Sequence, residues 1–126
     1  MENLHIDQHI SQQYNQELED LRNKVLVMGG MVENQCRLAL DALIEGDSEK
    51  AEIVSTGDYK INKLEVEIDA ECTDILARRQ PAASDLRFII TVIKTITDLE
   101  RVGDEAEKVG RFALKLASKH DRQPYY

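Results

Sequence analysis

Apolar residues recur at steps of three and four along nearly the whole chain, and the pattern breaks only twice. Leu18, Leu21, Val25, Met28 and Val32 form the first seam, and Met31, Leu38, Leu40, Leu43 and Ile44 widen it. That spacing puts side chains on one face of a helix. It predicts a first helix from about Ser11 to Glu45. The stretch EGDSEKAE, Glu45–Glu52, interrupts it: Gly46 suits the position just past a helix end, and Asp47 suits an N-cap. A second helix is expected over Ser48–Arg79, with Ile53, Gly57, Ile61, Leu64, Ile68, Cys72 and Ile75 as its seam. Pro81 cannot continue that helix, so it closes near Gln80. A third helix then starts between Ala82 and Asp85 and runs to Ser118, and residues 119–126 (KHDRQPYY) read as a frayed end.

Helices of this size are about 45–55 Å long, and connections of a few residues force sequential neighbours to run antiparallel. The expected fold is therefore all-α, an antiparallel up-down-up three-helix bundle forming a single domain over residues 1–126. Seams near a 3.5-residue period favour shallow crossing angles. Two Pro, six Gly and 5% aromatic residues agree with long helices. Gly29–Gly30, mid-helix, reads as a point of close helix approach.

The third helix carries acid where it should be apolar. Five carboxylates fall within Asp98–Glu107. On a wheel of 100° per residue centred on Ile96, Ile89, Val92, Ile93, Leu99, Gly103, Gly110, Leu114 and Ala117 fall within about 60°. Glu107 falls at about 20°, Glu100 at about 40° and Asp104 at about 80°, whereas Asp98, Arg101 and Glu105 face away. The spacing of Glu100 and Asp104 stacks two like charges about 6 Å apart, and a cation would remove their repulsion. Glu100, Asp104 and Glu107 are thus candidate metal ligands, for a divalent or trivalent ion such as Fe, Mn, Mg or Zn. Spacing alone favours a solvated face over a metal site, because Arg101, Lys108 and Arg111 stand at salt-bridge distance along the helix.

Other chemistry finds no support. A net charge of −8 argues against nucleic acid as a partner. No run of 18 apolar residues predicts membrane insertion, and MENLHIDQHI lacks the pattern of a signal peptide, so the expected location is cytoplasmic. Cys36 and Cys72 read as packed thiols. Glu2 and His5 match E-x-x-H formally but have no second copy. Arg87, Arg101 and Arg111 spread over too much helix to converge on a phosphate. No nucleophile elbow or phosphate-cradling glycine loop is present, so no enzyme activity is expected.

Three stretches occur in a telling order: MGGMVE (Met28–Glu33), RRQPAASDLR (Arg78–Arg87) and LERVGDEAEKV (Leu99–Val109). Together, from Leu4 to about Lys119, the chain resembles the PhoU family of phosphate-transport accessory regulators. The resemblance implies two tandem three-helix bundles, of which this chain would be the first. It implies a metal-binding E(D)-x-x-x-D motif on the third helix, which maps onto Glu100 and Asp104. It also implies repression of the phosphate-starvation regulon, through contacts with the phosphate transporter ATPase and the phosphate-sensing histidine kinase, by a protein that is commonly a homodimer. A lone bundle would dimerise to cover the face meant for a second. The alternative is a di-metal carboxylate store or metalloenzyme, which rests on the acidic ridge alone and lacks paired E-x-x-H motifs.

Overall fold

The computed structural model describes residues 2–122, and the side chains of residues 6–119. The described residues form three helices, α1 (Glu2–Glu45), α2 (Ser48–Arg79) and α3 (Ala83–Arg122), with no strand among them. α1 begins nine residues before the expected Ser11, and α3 continues through Lys119–Arg122, part of the expected frayed end. Residues 123–126, and the side chains of Glu2 and His5, lie outside the described part.

Both breaks are built as their residue types require. Gly46 takes φ +68°, in the left-handed region that glycine enters without steric penalty. Asp47 then accepts from the backbone N–H groups of Glu49 (3.0 Å) and Lys50 (3.2 Å), capping α2. At the other end Gln80, a non-glycine residue, ends α2 at φ 48° and ψ 63°. That conformation costs about 1 kcal/mol, and Pro81 behind it forbids another helical turn.

Cross-helix pairs set the register. Arg79 Nη2 donates to Glu17 Oε1 at 2.7 Å, Lys24 pairs with Glu71, Gln35 meets Val54, and Lys50 pairs with Asp41, so α1 and α2 run antiparallel. Gly103 faces Asp58 and Ile61, and Gly110 faces Val54, so α3 runs antiparallel to α2. Each helix contacts the other two.

The core changes character along the bundle. At one end Leu21, Met28, Ile61, Ile68, Ile89 and Ile96 are fully buried. Toward the α1–α2 turn the interior is Ala39, Ala42, Ala51, Val54, Ala106 and Ala113. Small residues there bring the helices closer together. The packing corrects three sequence expectations. Leu40, Leu43 and Ile44 do not widen the core of α1, because alanines fill its inner stripe and Ile44 is 80% exposed. Ile53 is exposed, and Val54 takes its place in the seam. Gly29 and Gly30 make no close approach: a Cβ at either would meet nothing within 4 Å. The tight contacts lie at Gly57, Gly103 and Gly110 instead.

Candidate metal centre between the second and third helices

Where the bulky core gives way to alanine, one core position of α2 is an aspartate. Asp58 lies one turn from both Val54 and Ile61, and its residue is only 5% exposed. Gly103 makes room for it, since a Cβ there would stand 3.1 Å from Asp58 Oδ1. Asn62, the next residue on that ridge, donates its Nδ2 to Asp58 Oδ2 at 3.3 Å. Oδ1 is buried and receives no hydrogen bond. A buried anionic oxygen without a donor costs several kcal/mol unless it is neutralised.

Two acids of α3 face it. One carboxylate oxygen from each of Asp58, Asp104 and Glu107 lies within 4.8 Å of the others. At metal–oxygen distances of about 2.0–2.6 Å, two ligands of one ion stand at most about 5 Å apart, so the trio fits a single hard cation. The unpartnered Oδ1 can be satisfied by such a cation or by a proton shared with Asp104. Glu107 also pairs with Arg111 one turn on, and that guanidinium is mostly exposed. Asp58, Asp104 and Glu107 are the residues that would hold the ion.

The electrostatics follow from crowding. Burial, then hydrogen bonding and repulsion from Asp104, push the Asp58 carboxyl up to about 6. Its contact with Asp104 is a hydrogen bond only while one of the two carries a proton. The hydrogen bond with Asp104, followed by burial, raises Glu100. Burial, followed by repulsion from Asp69 and Asp104, raises Glu65 of α2. α2 and α3 therefore oppose acid with acid.

Of the predicted ligands, Asp104 and Glu107 belong to the trio. Glu100 does not; it lies one turn before Asp104 and adjoins the trio through it. Asp58 and Glu65 escaped the sequence reading. The seam drawn through Ile53, Gly57 and Ile61 ran one residue beside the buried Val54 and Asp58. A D-x-x-x-N ridge, Asp58 to Asn62, matched in spacing to E-x-x-x-D, was the available signal. Asp98, Arg101 and Glu105 are exposed, on the outer face where the wheel puts them, and pair along the helix as Asp98–Arg101 and Glu105–Lys108.

The chain matches the family model described as "PhoU domain" over residues 25–113. The phosphate-specific transport system accessory protein PhoU of Serratia marcescens is 52% identical over 124 residues, 98% of this chain and 51% of that protein. The PhoU homolog of Pseudomonas aeruginosa is 58% identical over 86% of this chain and 45% of its own length. The crystal structure of PhoU from Pseudomonas aeruginosa superposes with a TM-score of 0.82 at 55% identity, covering 84% of this chain and 51% of that one. That of the regulatory protein PhoU from Streptococcus pneumoniae gives 0.75 at 35%, over 80% and 48%. The chain spans about half the length of the curated relatives it matches. With the family domain matched over most of its residues and relatives at about half identity along nearly all of it, this chain belongs to the PhoU family.

Proposed function

We propose that this chain is a regulatory unit of a phosphate-specific transport system, acting in the cytoplasm as a negative regulator of phosphate uptake and of the phosphate-starvation response. It works as an adaptor. As part of a homodimer it contacts the transporter ATPase and the phosphate-sensing histidine kinase, and it performs no chemistry of its own. One observation carries this reading: a relative named as an accessory protein of phosphate transport is 52% identical over 98% of the chain. No helix among the described residues is long and apolar enough to cross a membrane, which suits a protein that meets the transporter from outside the bilayer.

The acidic ridge supplies the regulatory element. A divalent or trivalent ion, Fe, Mn, Mg or Zn, would neutralise Asp58, Asp104 and Glu107 and tie α2 to α3. Asp58 and Asp104 hold it from two helices, Glu107 closes it from the next turn, and Glu100 and Glu65 extend the negative field outward. The surface above α2 and α3 then differs between loaded and empty states, which gives a partner something to distinguish.

The test tags the protein at its chromosomal locus, recovers it from phosphate-replete cells, and does the same with Glu100→Gln/Asp104→Asn. The native protein is expected to bring down the ATPase and the kinase with bound metal, and the variant to lose metal and partners together. Absence of both partners from the native sample refutes the adaptor. The carboxylate trio also favours a metal store or oxidase enough to merit one assay: oxygen consumption with Fe²⁺ above the buffer rate would favour that alternative over the adaptor.

A further inference from the structure

Asp58 reaches its place because α2 is gripped at one turn from both sides. On the α3 side Val54 seats against Gly110, where a Cβ would stand 2.7 Å from Val54 Cγ1, and Asp58 lies against Gly103. On the α1 side stands Gln35, only 6% exposed and one of two buried polar residues among those described. Its Nε2 donates to the carbonyl oxygen of Val54 at 3.3 Å. In an α-helix that carbonyl also accepts the N–H of Asp58, four residues on. The Gln35 amide lies flat over Gly57: a Cβ there would stand 3.3 Å from Nε2 and 3.4 Å from Oε1. So one side chain from α1 holds the carbonyl that closes the Asp58 turn and covers the residue just before Asp58.

A buried glutamine is an odd choice beside Met31, Val54, Gly57 and Ile61. Packing alone would be served by leucine or methionine at lower desolvation cost. The amide is needed where a backbone turn must be held in one place, and the residue that follows that turn is a carboxylate with an unpartnered buried oxygen.

We propose that Gln35 is a positioning residue for the carboxylate site, holding the Val54–Asp58 turn of α2 so that Asp58 meets Asp104 and Glu107 around one cation. This rests on the metal reading above. Groups that orient ligands from behind, when removed, weaken metal binding by about 10- to 100-fold. Gln35 acts one step further back, through backbone, so the lower end of that range applies.

The test uses the full chain with Mn²⁺ as the probe, following the free-ion signal by electron paramagnetic resonance. Gln35→Met keeps the bulk and removes the donor, and it should weaken Mn²⁺ binding about tenfold. Gly57→Ala leaves Gln35 chemically intact but pushes its amide aside. It should weaken binding in the same direction, while in the thermal midpoint the lost hydrogen bond to Val54 opposes the better helix propensity of alanine. Ile75→Val, about 25 Å along α2 from Asp58, destabilises the bundle core and should keep native affinity. Amide exchange in the metal-free protein should quicken at Asp58 in Gln35→Met and not in Ile75→Val. The proposal is overturned if Gln35→Met and Gly57→Ala bind Mn²⁺ as the native chain does while Asp58→Asn does not; the metal site then stands without it. It falls together with the metal reading if the native chain leaves the Mn²⁺ signal untouched up to about 1 mM, beyond the range of a useful carboxylate site.

Discussion

The same substitution, glycine to alanine, should have opposite signs at two places in this bundle. At Gly30 a new Cβ meets nothing within 4 Å, so alanine only removes the entropic cost of glycine in a helix. That gain is about 0.5–1 kcal/mol. At Gly110 the same Cβ would lie 2.7 Å from Val54 Cγ1, 2.9 Å from Val54 Cβ and 3.4 Å from the Ala51 carbonyl oxygen. Carbon atoms prefer about 3.5–4.0 Å, so α2 or α3 must move by close to 1 Å. Val54 is fully buried with a branched Cβ and cannot swing away. Overpacking of this kind costs about 1–3 kcal/mol, and the helix gain returns less than 1 of it. Gly110→Ala should therefore lose about 1–2 kcal/mol, or about 4–8 °C of thermal midpoint at this chain length. Gly30→Ala should gain a few degrees. Urea and thermal unfolding of the two variants beside the native chain decide it. A Gly110→Ala protein as stable as the native one would mean that the helices do not approach as described, and the register that puts Asp58 beside Asp104 would lose its support.

Other outcomes follow from the same contacts. Asp58 is held near 6 instead of the ordinary 3.8, so the native state binds more protons than the unfolded chain between those values. Stability contributed at this site is present at the acid end and lost as pH rises through about 6, by at most ~3 kcal/mol. In metal-free urea titrations Asp58→Asn should flatten that fall between pH 4 and about 7; an unchanged slope would assign it elsewhere. Mn²⁺ at about 100 times its dissociation constant should add about 2.7 kcal/mol to the native chain and little to Asp104→Asn, read as a shift of thermal midpoint. Glu17→Gln unties α1 from Arg79, a partner only 14% exposed, and should cost about 1 kcal/mol by chemical denaturation. Ile61→Ala, in the layer directly below Asp58, should cost about 3–4 kcal/mol, and a loss under 1 would mean that the layer is not packed.

The fold was legible because its signals are local. Two three-four seams ending in Gly46–Asp47 and Gln80–Pro81 determine three helices, and short turns determine their antiparallel order. The first nine residues of α1 were not legible, because Ile6 and Ile10 there are half exposed and show no buried stripe to detect. At the alanine end of the core, side-chain size does not mark the inward face. Helices that close on alanine leave Leu40 and Ile44 outside. Glycines show the same limit: Gly29–Gly30 are conspicuous as a pair, yet only the contact partner distinguishes them from Gly57, Gly103 and Gly110. Of the site, the α3 half could be read from one wheel. The α2 half shows in sequence only as the D-x-x-x-N spacing of Asp58 and Asn62, and whether Asp58 opposes Asp104 depends on the register between two helices, which no single-helix pattern contains.

That register also answers why acid sits on the packing side of α3. If Glu100 and Asp104 faced only solvent, each would cost a few tenths of a kcal/mol and α3 would need no partner acid. Instead α2 contributes Asp58 and Glu65 to the same seam, and Gly103 and Gly110 draw the two helices together over it. Such a layer opposes folding when empty, through desolvation and like-charge repulsion, and it persists because the isoleucine core on one side and the alanine layers on the other hold the helices in place. A layer optimised for stability would put leucine at position 58. Keeping an aspartate there gives up stability in the metal-free state, and on the function proposed above a cation would return it, so that the α2–α3 contact would tighten on binding metal.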